Sequence, residues 1–371
     1  MQIISSIWNH LAGFFGNLVL IAGVIGLVVG LIERLIYKSG RSQEKADENR
    51  QDVRKELIGD QAQAGNGKEE GEEQRQGERQ SQISSSPKTR LAIITGASSG
   101  LGMAYAKTVD QDPEAYQVDE IWLIARRKDR LDQLANELHL PVQVLPLDLT
   151  KEESLEELKS KLEGKEDKFT IPDEINQDEE GSAAEDSEND SKPKSPYTVT
   201  LLLNCAGFGA FGLSEEVGYV KEGKMIDLND RAAAQLTNIV IPHLCSGARI
   251  GEVCSVAGFQ PIPFFNAYAA SKAFLYSYSR GLRVELLKKK ASVTAICPYW
   301  VRDTGFIDTA ADGKKHHLLF TSTTDKVVSL SLSAVRKRHA VSTPSFISTL
   351  DRIFCGLIPD SLLTYIMTRF L

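Results

Sequence analysis

A tyrosine, a lysine and a serine are spaced so that their side chains could meet at one carbonyl group. Tyr268 and Lys272 are four residues apart in a segment with helical periodicity, and Ser255 lies thirteen residues before Tyr268. Residues four apart share one face of a helix. A phenol beside an ammonium group and a hydroxyl could exchange a proton with a carbonyl oxygen. Most Tyr-Lys pairs at this spacing are ordinary surface pairs, so the accompanying motifs decide between the two interpretations.

A glycine-rich segment, Thr95-Gly96-Ala97-Ser98-Ser99-Gly100-Leu101-Gly102, stands between a strand-like run and a helix-like run. In a dinucleotide-binding turn the first glycine makes the turn, the second lets the backbone approach the pyrophosphate, and the third lets the helix pack closely. The positive N-terminus of that helix then faces the phosphates. The sequence therefore predicts cofactor contacts from this segment: Gly96, Ser98, Ser99, Gly100, Leu101 and Gly102.

The residues after the second strand-like run indicate which nucleotide binds. Residues 121–125 are followed by Arg126 and Arg127, where an Asp or Glu would contact the ribose 2′-hydroxyl of NAD. Guanidinium groups suit the 2′-phosphate of NADP, so the sequence predicts NADP as the cofactor. The alternative is that both arginines only solvate the loop.

Four features, in this order, resemble the short-chain dehydrogenase/reductase family: the glycine-rich segment, Asn204-Cys205-Ala206-Gly207, Asn229, and the set around Tyr268. The resemblance covers residues 90–345. It implies an NADP-binding domain in which a hydride passes between a nicotinamide and a carbonyl or alcohol carbon. The implied catalytic residues are Asn229, Ser255, Tyr268 and Lys272. The further implied cofactor contacts are Asp148, Asn204, Ala206, Gly207, Tyr268, Lys272 and Pro298.

The resemblance also implies a role for each catalytic residue. A tyrosine ordinarily titrates near 10, and the positive charge of Lys272 would favour its phenolate. Ser255 would hold the substrate oxygen, and Asn229 would order the water that relays the proton beyond Lys272. Two positions depart from the family pattern: Cys205 replaces a usual Asn, and Tyr299 follows Pro298 where Gly is common. Asp303 stands near the position of a frequent Thr.

Short apolar runs alternate with helix-length periodic segments, which is typical of a doubly wound (Rossmann) α/β fold with a parallel sheet. Six strands are predicted from periodicity, and the resemblance supports about seven. The predicted strands are 91–95, 121–125, 142–147, 198–203, 250–254 and 293–297, with 339–343 as the seventh. The predicted helices are 101–110, 130–138, 154–162, 225–244, 268–289 and 324–335.

An uncharged stretch near the N-terminus predicts a single transmembrane helix before the folded domain. Residues 11–32 contain no Asp, Glu, Lys or Arg, and this length can cross a bilayer. A signal peptide or a buried soluble helix fits less well, because the leader lacks basic residues and a polar tail follows. Basic residues follow the span, so the body is expected on the cytoplasmic side of a membrane. We assign residues 1–38 to this anchor.

Two polar segments and a C-terminal extension complete the predicted organisation. Residues 39–89 contain few apolar side chains and are expected to be a disordered tether. Residues 163–194 carry a net charge of −8 against −7 for the whole chain, so the rest of the chain is close to neutral and the acidity is confined to this expected disordered insertion. Residues 346–371 form the predicted helical extension, which either packs on the body or lies at a bilayer surface.

The composition argues against several other functions. The chain lacks a basic stripe with interleaved aromatic residues, so nucleic-acid binding has no support. Its five cysteines show no metal-ligand spacing and suggest buried residues in a reducing compartment, with no metal site. The sequence neither predicts nor excludes a homo-oligomer.

We therefore expect a membrane-tethered NADP-dependent oxidoreductase acting on a small-molecule carbonyl or alcohol. Aromatic residues lie beside the catalytic motifs, among them Phe208, Phe211, Phe264 and Phe265. They suggest a hydrophobic or lipid-like substrate. The alternatives are a reductase of a small polar carbonyl and a catalytically idle nucleotide-binding sensor or scaffold.

Overall fold

A computed structural model describes residues 88–165, 195–312, 321–359 and 361–365. These residues fall within one unit, Ser85–Leu371. The predicted anchor at 11–32 and almost all of the predicted tether lie outside the described residues, as does the acidic insertion beyond Lys165. In the described ranges, no helix combines the length and apolar character needed to cross a membrane.

Seven parallel strands form one sheet in the order β3-β2-β1-β4-β5-β6-β7. The chain starts in the middle, builds outward to β3, and then crosses to the other side of β1. The strands are β1 Thr89–Thr95, β2 Glu120–Ile124, β3 Val142–Leu145, β4 Tyr197–Asn204, β5 Leu244–Val253, β6 Ser292–Ile296 and β7 Val341–Ser342. The reversal of strand order lies between β1 and β4, where doubly wound sheets bind their ligands.

Helices cover both faces of this sheet. They are α1 Gly100–Gln111, α2 Pro113–Tyr116, α3 Lys128–Ala135, α4 Glu152–Leu162, α5 Ser214–Val217, α6 Tyr219–Ile226, α7 Ala233–Val240, α8 Asn266–Glu285, α9 Phe306–Ala310, α10 Thr324–Arg336 and α11 Phe346–Cys355. One core cluster joins the sheet to α4, α7 and α8, and a second joins it to α1, α3 and α10. Strands buried on both faces explain the nearly continuous apolar runs in the sequence.

One predicted helix differs from the structure. Residues 225–244 form the end of α6, a π-helical stretch at Asp227–Ala232, α7 and a short 3-10 turn at Ile241–His243. Pro242 lies in this 3-10 turn and lacks the backbone N–H that a longer α-helix would need there, so α7 ends before it. The strand that follows begins at Leu244, so β5 is longer than predicted at its start.

The C-terminal extension packs on the folded body. Helix α11 contacts the 3-10 turn Val256–Phe259, which directly follows Ser255. The side-chain nitrogen of Gln260 donates a hydrogen bond of 3.2 Å to Asp351 of α11. Of the two predicted positions for this extension, the structure supports packing on the body for its first helix.

Candidate active site

The glycine-rich segment forms a tight turn between β1 and α1. Gly96 has a φ of +64°, a conformation that favours glycine, and a Cβ on it would lie 3.0 Å from the backbone of Ala206. A Cβ on Gly102 would lie 2.5 Å from the carbonyl oxygen of Gly96. Gly100 begins α1, and Leu101 follows it in the first turn. These contacts require small residues, and the turn has the shape expected of a phosphate-binding loop.

The two arginines after β2 are both exposed to solvent and differ in their hydrogen bonds. The Arg127 guanidinium donates hydrogen bonds to Ser98 Oγ at 2.9 Å and to Ser99 Oγ at 2.8 Å. Partial burial and the neighbouring charges of Arg130 and Arg126 lower the pKa of Arg127. Arg126 is exposed to solvent. The structure therefore places Arg127 at the glycine-rich turn. The two guanidinium groups concentrate positive charge at the edge of that turn.

The end of β4 is joined to the end of β1 by one threonine. Thr95 Oγ1 accepts hydrogen bonds from the backbone N–H groups of Cys205, at 2.9 Å, and Ala206, at 3.0 Å. Burial raises the pKa of the Cys205 thiol, which is therefore neutral. Asn204, at the end of β4, turns its side chain into the core and donates to Thr237 Oγ1 at 2.8 Å. Of the predicted strand-end contacts, Ala206 is therefore held next to the glycine-rich turn, whereas the Asn204 side chain is hydrogen-bonded in the core.

Tyr268 and Ser255 meet as the sequence predicted. Both residues are almost fully buried, and the Ser255 hydroxyl lies near enough to the phenol to influence its pKa. Ser255 Oγ accepts a hydrogen bond of 3.1 Å from the backbone N–H of Ala257. Burial raises the pKa of the Tyr268 phenol above its ordinary value, and the nearby Ser255 hydroxyl opposes this shift. In this state the phenol is neutral and can donate a proton.

Lys272 lies beside this pair, with its ammonium directed to the sheet. Its Nζ is 5.7 Å from the centre of the Tyr268 ring and donates a hydrogen bond of 2.8 Å to the carbonyl oxygen of Val253. A Cβ on Gly207 would lie 2.9 Å from Asn229 Oδ1 and 3.5 Å from Lys272 Nζ. Asn229 and Lys272 therefore border the same small space at Gly207. The four predicted catalytic side chains come together at the ends of β4 and β5.

Asn229 is also held by protein groups. Its Oδ1 accepts from the backbone N–H of Phe208 at 3.0 Å, and its Nδ2 donates to the Phe208 carbonyl at 2.9 Å and to Ser271 Oγ at 3.0 Å. It lies in the π-helical stretch Asp227–Ala232, which the sequence did not predict. This stretch sets the angle at which the Asn229 amide enters the site. Such π-helical turns often occur at functional sites.

An aromatic cluster surrounds the Tyr268 ring. Phe265 stacks between Phe211, with ring centres 4.1 Å apart, and Tyr268, at 4.3 Å. Trp300 lies 5.8 Å from the Phe265 ring, and Phe306 of α9 lies 5.4 Å from the Tyr268 ring. The surroundings of the phenol are therefore mainly apolar.

The two remaining predicted aromatic residues differ in their surroundings. Phe208 packs against the cluster around Tyr268. The side chain of Phe264, in contrast, is 43 % exposed. Three of the four aromatic residues predicted beside the catalytic motifs therefore belong to the cluster.

Three other positions named from the sequence, Pro298, Asp303 and Asp148, accept hydrogen bonds within the protein. The Pro298 carbonyl accepts a hydrogen bond of 3.1 Å from the backbone N–H of Val256, next to Ser255. Asp303 accepts from the Thr324 backbone N–H at 2.8 Å and from its hydroxyl at 2.7 Å, so it caps the start of α10. Asp148 accepts from the Thr150 hydroxyl at 2.7 Å. In both carboxyls burial opposes ionisation, yet hydrogen bonds from threonine give a lowered pKa.

Two buried carboxyl groups near Lys272 were missed from the sequence. Glu252 on β5 is fully buried, and Asp230 directly follows Asn229 with 9 % of its surface exposed. Glu252 interrupts the apolar run 250–254, and a charged residue inside a buried strand is a signal that could have identified it. Among the described residues, no group of three or more His, Cys, Asp or Glu side chains could hold a metal ion.

Comparisons with known proteins agree with this arrangement. Residues 191–315 match the family model described as short chain dehydrogenase. An uncharacterised oxidoreductase of Staphylococcus epidermidis is 26 % identical over 243 residues, which cover 65 % of this chain and 90 % of that protein. A very-long-chain 3-oxoacyl-CoA reductase of Anas platyrhynchos is 28 % identical over 222 residues, covering 57 % of this chain and 59 % of that protein.

A solved structure has the same fold. The short-chain dehydrogenase from Sphingobium yanoikuyae in complex with NADPH superposes with a TM-score of 0.53 and is 26 % identical, covering 72 % of this chain and 94 % of that one. The family match, the relatives and the shared fold all support the short-chain dehydrogenase/reductase family. The chain is a short-chain NAD(P)-dependent oxidoreductase that acts on CH–OH or C=O groups.

Proposed function

We propose that this oxidoreductase uses NADP and reduces a hydrophobic or lipid-like carbonyl compound, with Tyr268 as the proton carrier. The observation that carries this proposal is the buried pair of Tyr268 and Ser255, with Lys272 Nζ 5.7 Å from the centre of the Tyr268 ring and an apolar cluster around it. When bound, the nicotinamide supplies the hydride chemistry. The protein's own residues then bind, orient and protonate the substrate.

In this proposal each of the four side chains has a separate role in the reaction. The neutral phenol of Tyr268 would donate its proton to the carbonyl oxygen as negative charge develops there. Ser255, buried near the Tyr268 phenol, would hold that oxygen in place. Lys272 would stabilise the phenolate that remains by its positive charge. Asn229 would order a water in the small space at Gly207, from which a proton could return through Lys272.

The preference for NADP over NAD is supported by the arginines at the glycine-rich turn. Arg127 is fixed by two serine hydroxyls, and Arg126 lies beside it in solvent. A 2′-phosphate carries negative charge that two guanidinium groups can bind, whereas a 2′-hydroxyl gains little from them. The solved relative in complex with NADPH supports the same assignment.

A nucleotide titration tests this preference. The full chain should bind NADPH at least tenfold more tightly than NADH, measured by fluorescence titration. The double variant Arg126→Ala/Arg127→Ala should bind both nucleotides with similar affinity. Arg130→Ala is the matched control, because it removes an exposed arginine nearby that is outside the predicted set. Wild-type chain that binds NADH as tightly as NADPH would exclude the NADP assignment.

The apolar surroundings of Tyr268 support the substrate class. The rings of Phe211, Phe265, Trp300 and Phe306 contact one another or Tyr268, and apolar side chains favour apolar ligand groups. The relative from Anas platyrhynchos is named a very-long-chain 3-oxoacyl-CoA reductase, which agrees with this class. A panel of ketones of increasing chain length should show kcat/KM rising with length. Equal or higher kcat/KM for small polar carbonyls would favour the polar alternative.

We also propose that residues 11–32 tether the enzyme to a membrane, with the folded domain in the cytoplasm. The uncharged run and the basic residues after it support this proposal. Full-length protein should stay with membranes after alkaline carbonate extraction, and a chain lacking residues 1–40 should not. Release of the full-length chain by carbonate would exclude a spanning helix.

A further inference from the structure

The ammonium group of Lys272 is buried with few direct partners. Only 4 % of the residue is exposed, and among the described residues its Nζ donates one hydrogen bond, to the Val253 carbonyl. An ammonium has three N–H donors and loses its hydration when it is buried. Burial accordingly lowers the pKa of Lys272. Nearby negative charge must offset the lost hydration if Lys272 is to stay charged.

Glu252 approaches Lys272 from the sheet. It precedes Val253 on β5, and its Oε1 accepts hydrogen bonds from Asn204 Nδ2 at 3.1 Å and Thr237 Oγ1 at 3.0 Å. Its Oε2 is buried and has no hydrogen-bond partner among the described residues. The carboxyl is thus fixed in one orientation with one oxygen free. Such an oxygen in a native core calls for an explanation.

Asp230 approaches Lys272 from the π-helical stretch. It follows Asn229, whose side chain borders the same small space as Lys272 Nζ, and this stretch packs against α8, which carries Lys272. Its Oδ1 is also buried without a hydrogen-bond partner in the described ranges. Glu252 is therefore next in the chain to the residue whose carbonyl binds the Lys272 ammonium, and Asp230 is next to the residue that borders it. Each carries a buried carboxyl oxygen without a partner in the described ranges. We refer to Asp230 and Glu252 as the carboxylate pair.

The charges in this region are coupled. Burial raises the pKa of Glu252 to about 7 and that of Asp230 to about 6, and the positive charge of Lys272 opposes both shifts. In turn the negative charges of Asp230 and Glu252 oppose the lowering of the Lys272 pKa by burial. Tyr278 of α8 also faces Glu252, and burial raises the pKa of that phenol to about 12.

We propose that Asp230 and Glu252 are positioning residues that keep Lys272 protonated in the buried site. This inference rests on the proposed function of Lys272, because a charged ammonium is what stabilises the Tyr268 phenolate. Neither carboxylate is close enough to Lys272 to form a direct ion pair in the described structure. They act through space, in a region where burial weakens screening by solvent.

The direction of the effect follows from the charges. Removing an anion near an ammonium disfavours the charged form, so the Lys272 pKa falls. A through-space partner of this kind shifts a pKa by about 1 unit. Asp230→Asn and Glu252→Gln should each lower the Lys272 titration midpoint by about one pH unit, and the double variant should lower it further. Each substitution keeps the size of its side chain.

Lysine NMR measures this midpoint directly. The full chain, with lysine labelled at Cε, is titrated from neutral to alkaline pH, and the Lys272 signal is assigned by its loss in Lys272→Arg. Asp351→Asn is the matched control: burial raises the pKa of Asp351 to about 6 and its Oδ2 also has no partner in the described ranges. Its Oδ1 accepts a hydrogen bond from Gln260, and Asp351 is not among the groups that shift the Lys272 pKa. Its variant should leave the Lys272 midpoint unchanged.

The outcomes separate this inference from the proposed function. Lower midpoints in the two variants, with the control unchanged, support the carboxylate pair whether or not a substrate is reduced. Unchanged midpoints in Asp230→Asn and Glu252→Gln would overturn the inference, even if both variants lose activity. If Glu252→Gln does not fold, Asp230→Asn decides alone. A confirmed shift without carbonyl reduction by the wild type would count against the proposed function only.

Discussion

Asn229 illustrates how one residue can serve both structure and chemistry. The resemblance implied that it orders a water, and the structure adds three hydrogen bonds: the side-chain amide accepts one from the Phe208 N–H and donates two, to the Phe208 carbonyl and to Ser271 Oγ. A loss of activity after its removal would therefore have two causes. The sequence predicted the four side chains that come together at the ends of β4 and β5, because motif order and helical spacing carry that information. It did not predict Asp230 or Glu252, because their significance depends on packing between separate elements.

Replacing Asn229 should therefore destabilise the fold. Asn229→Ala leaves the Phe208 backbone groups without their partner in a buried place, and each unsatisfied group costs about 1–3 kcal/mol. We expect the free energy of unfolding to fall by roughly 2–4 kcal/mol, measured by urea denaturation. Asn266→Ala, at the exposed start of α8, is the control and should change it by less than about 0.5 kcal/mol. A stable but inactive Asn229→Ala protein would show that the residue acts in chemistry alone.

At the scale of elements, the sheet was largely predictable and the connections were less so. Strands such as 91–95 and 121–125 are continuous apolar runs, and the observed Thr89–Thr95 and Glu120–Ile124 differ from them by one or two residues. Periodicity does not distinguish a continuous helix from one with a π-helical stretch, so the break at Asp227–Ala232 was not predicted. The early start of β5 at Leu244 was missed because Ser246 and Gly247 interrupt its apolar pattern.

The turn between β1 and α1 offers a test at this scale. In Gly102→Ala the new Cβ would lie 2.5 Å from the Gly96 carbonyl oxygen, so helix and turn must separate. We expect NADPH affinity to fall at least tenfold and the melting temperature to drop by several degrees. Gly281→Ala on α8 is the control, because a Cβ there meets nothing within 4 Å. Alanine also has the higher helix propensity, so the control should keep or gain stability. Normal NADPH binding by Gly102→Ala would contradict the assigned turn.

At the scale of the whole molecule, a single sheet brings together residues that are far apart in the chain. The glycine-rich turn after β1, the strand end at Asn204 and the serine after β5 all lie at the carboxyl ends of parallel strands. The fold class and its seven strands were predicted from the sequence and the family resemblance, and both are confirmed. The anchor, the tether and the acidic insertion stay predictions, because they fall outside the described residues.

The acidic insertion should be dispensable for folding. The chain on its two sides is held together without it: Ser195 Oγ donates a hydrogen bond of 2.5 Å to the Leu162 carbonyl, and Gly164 lies against Pro196. Replacing residues 166–194 by a short Gly/Ser linker should change the free energy of unfolding by less than about 1 kcal/mol, because loop-closure entropy changes slowly with length. A large fall in melting temperature would show that the segment packs on the domain.

The most direct test of the whole account compares NADPH oxidation by the full-length wild type and by Tyr268→Phe on the same panel of apolar ketones. Phenylalanine keeps the ring that stacks on Phe265 and removes only the hydroxyl. Loss of a positioned acid should reduce turnover by roughly 10²–10⁴-fold. NADPH affinity should stay within about threefold of the wild type, and Tyr276→Phe on the same helix should retain full activity. Turnover by Tyr268→Phe equal to that of the wild type, or a wild type that binds NADPH and reduces no member of the panel, would contradict the account.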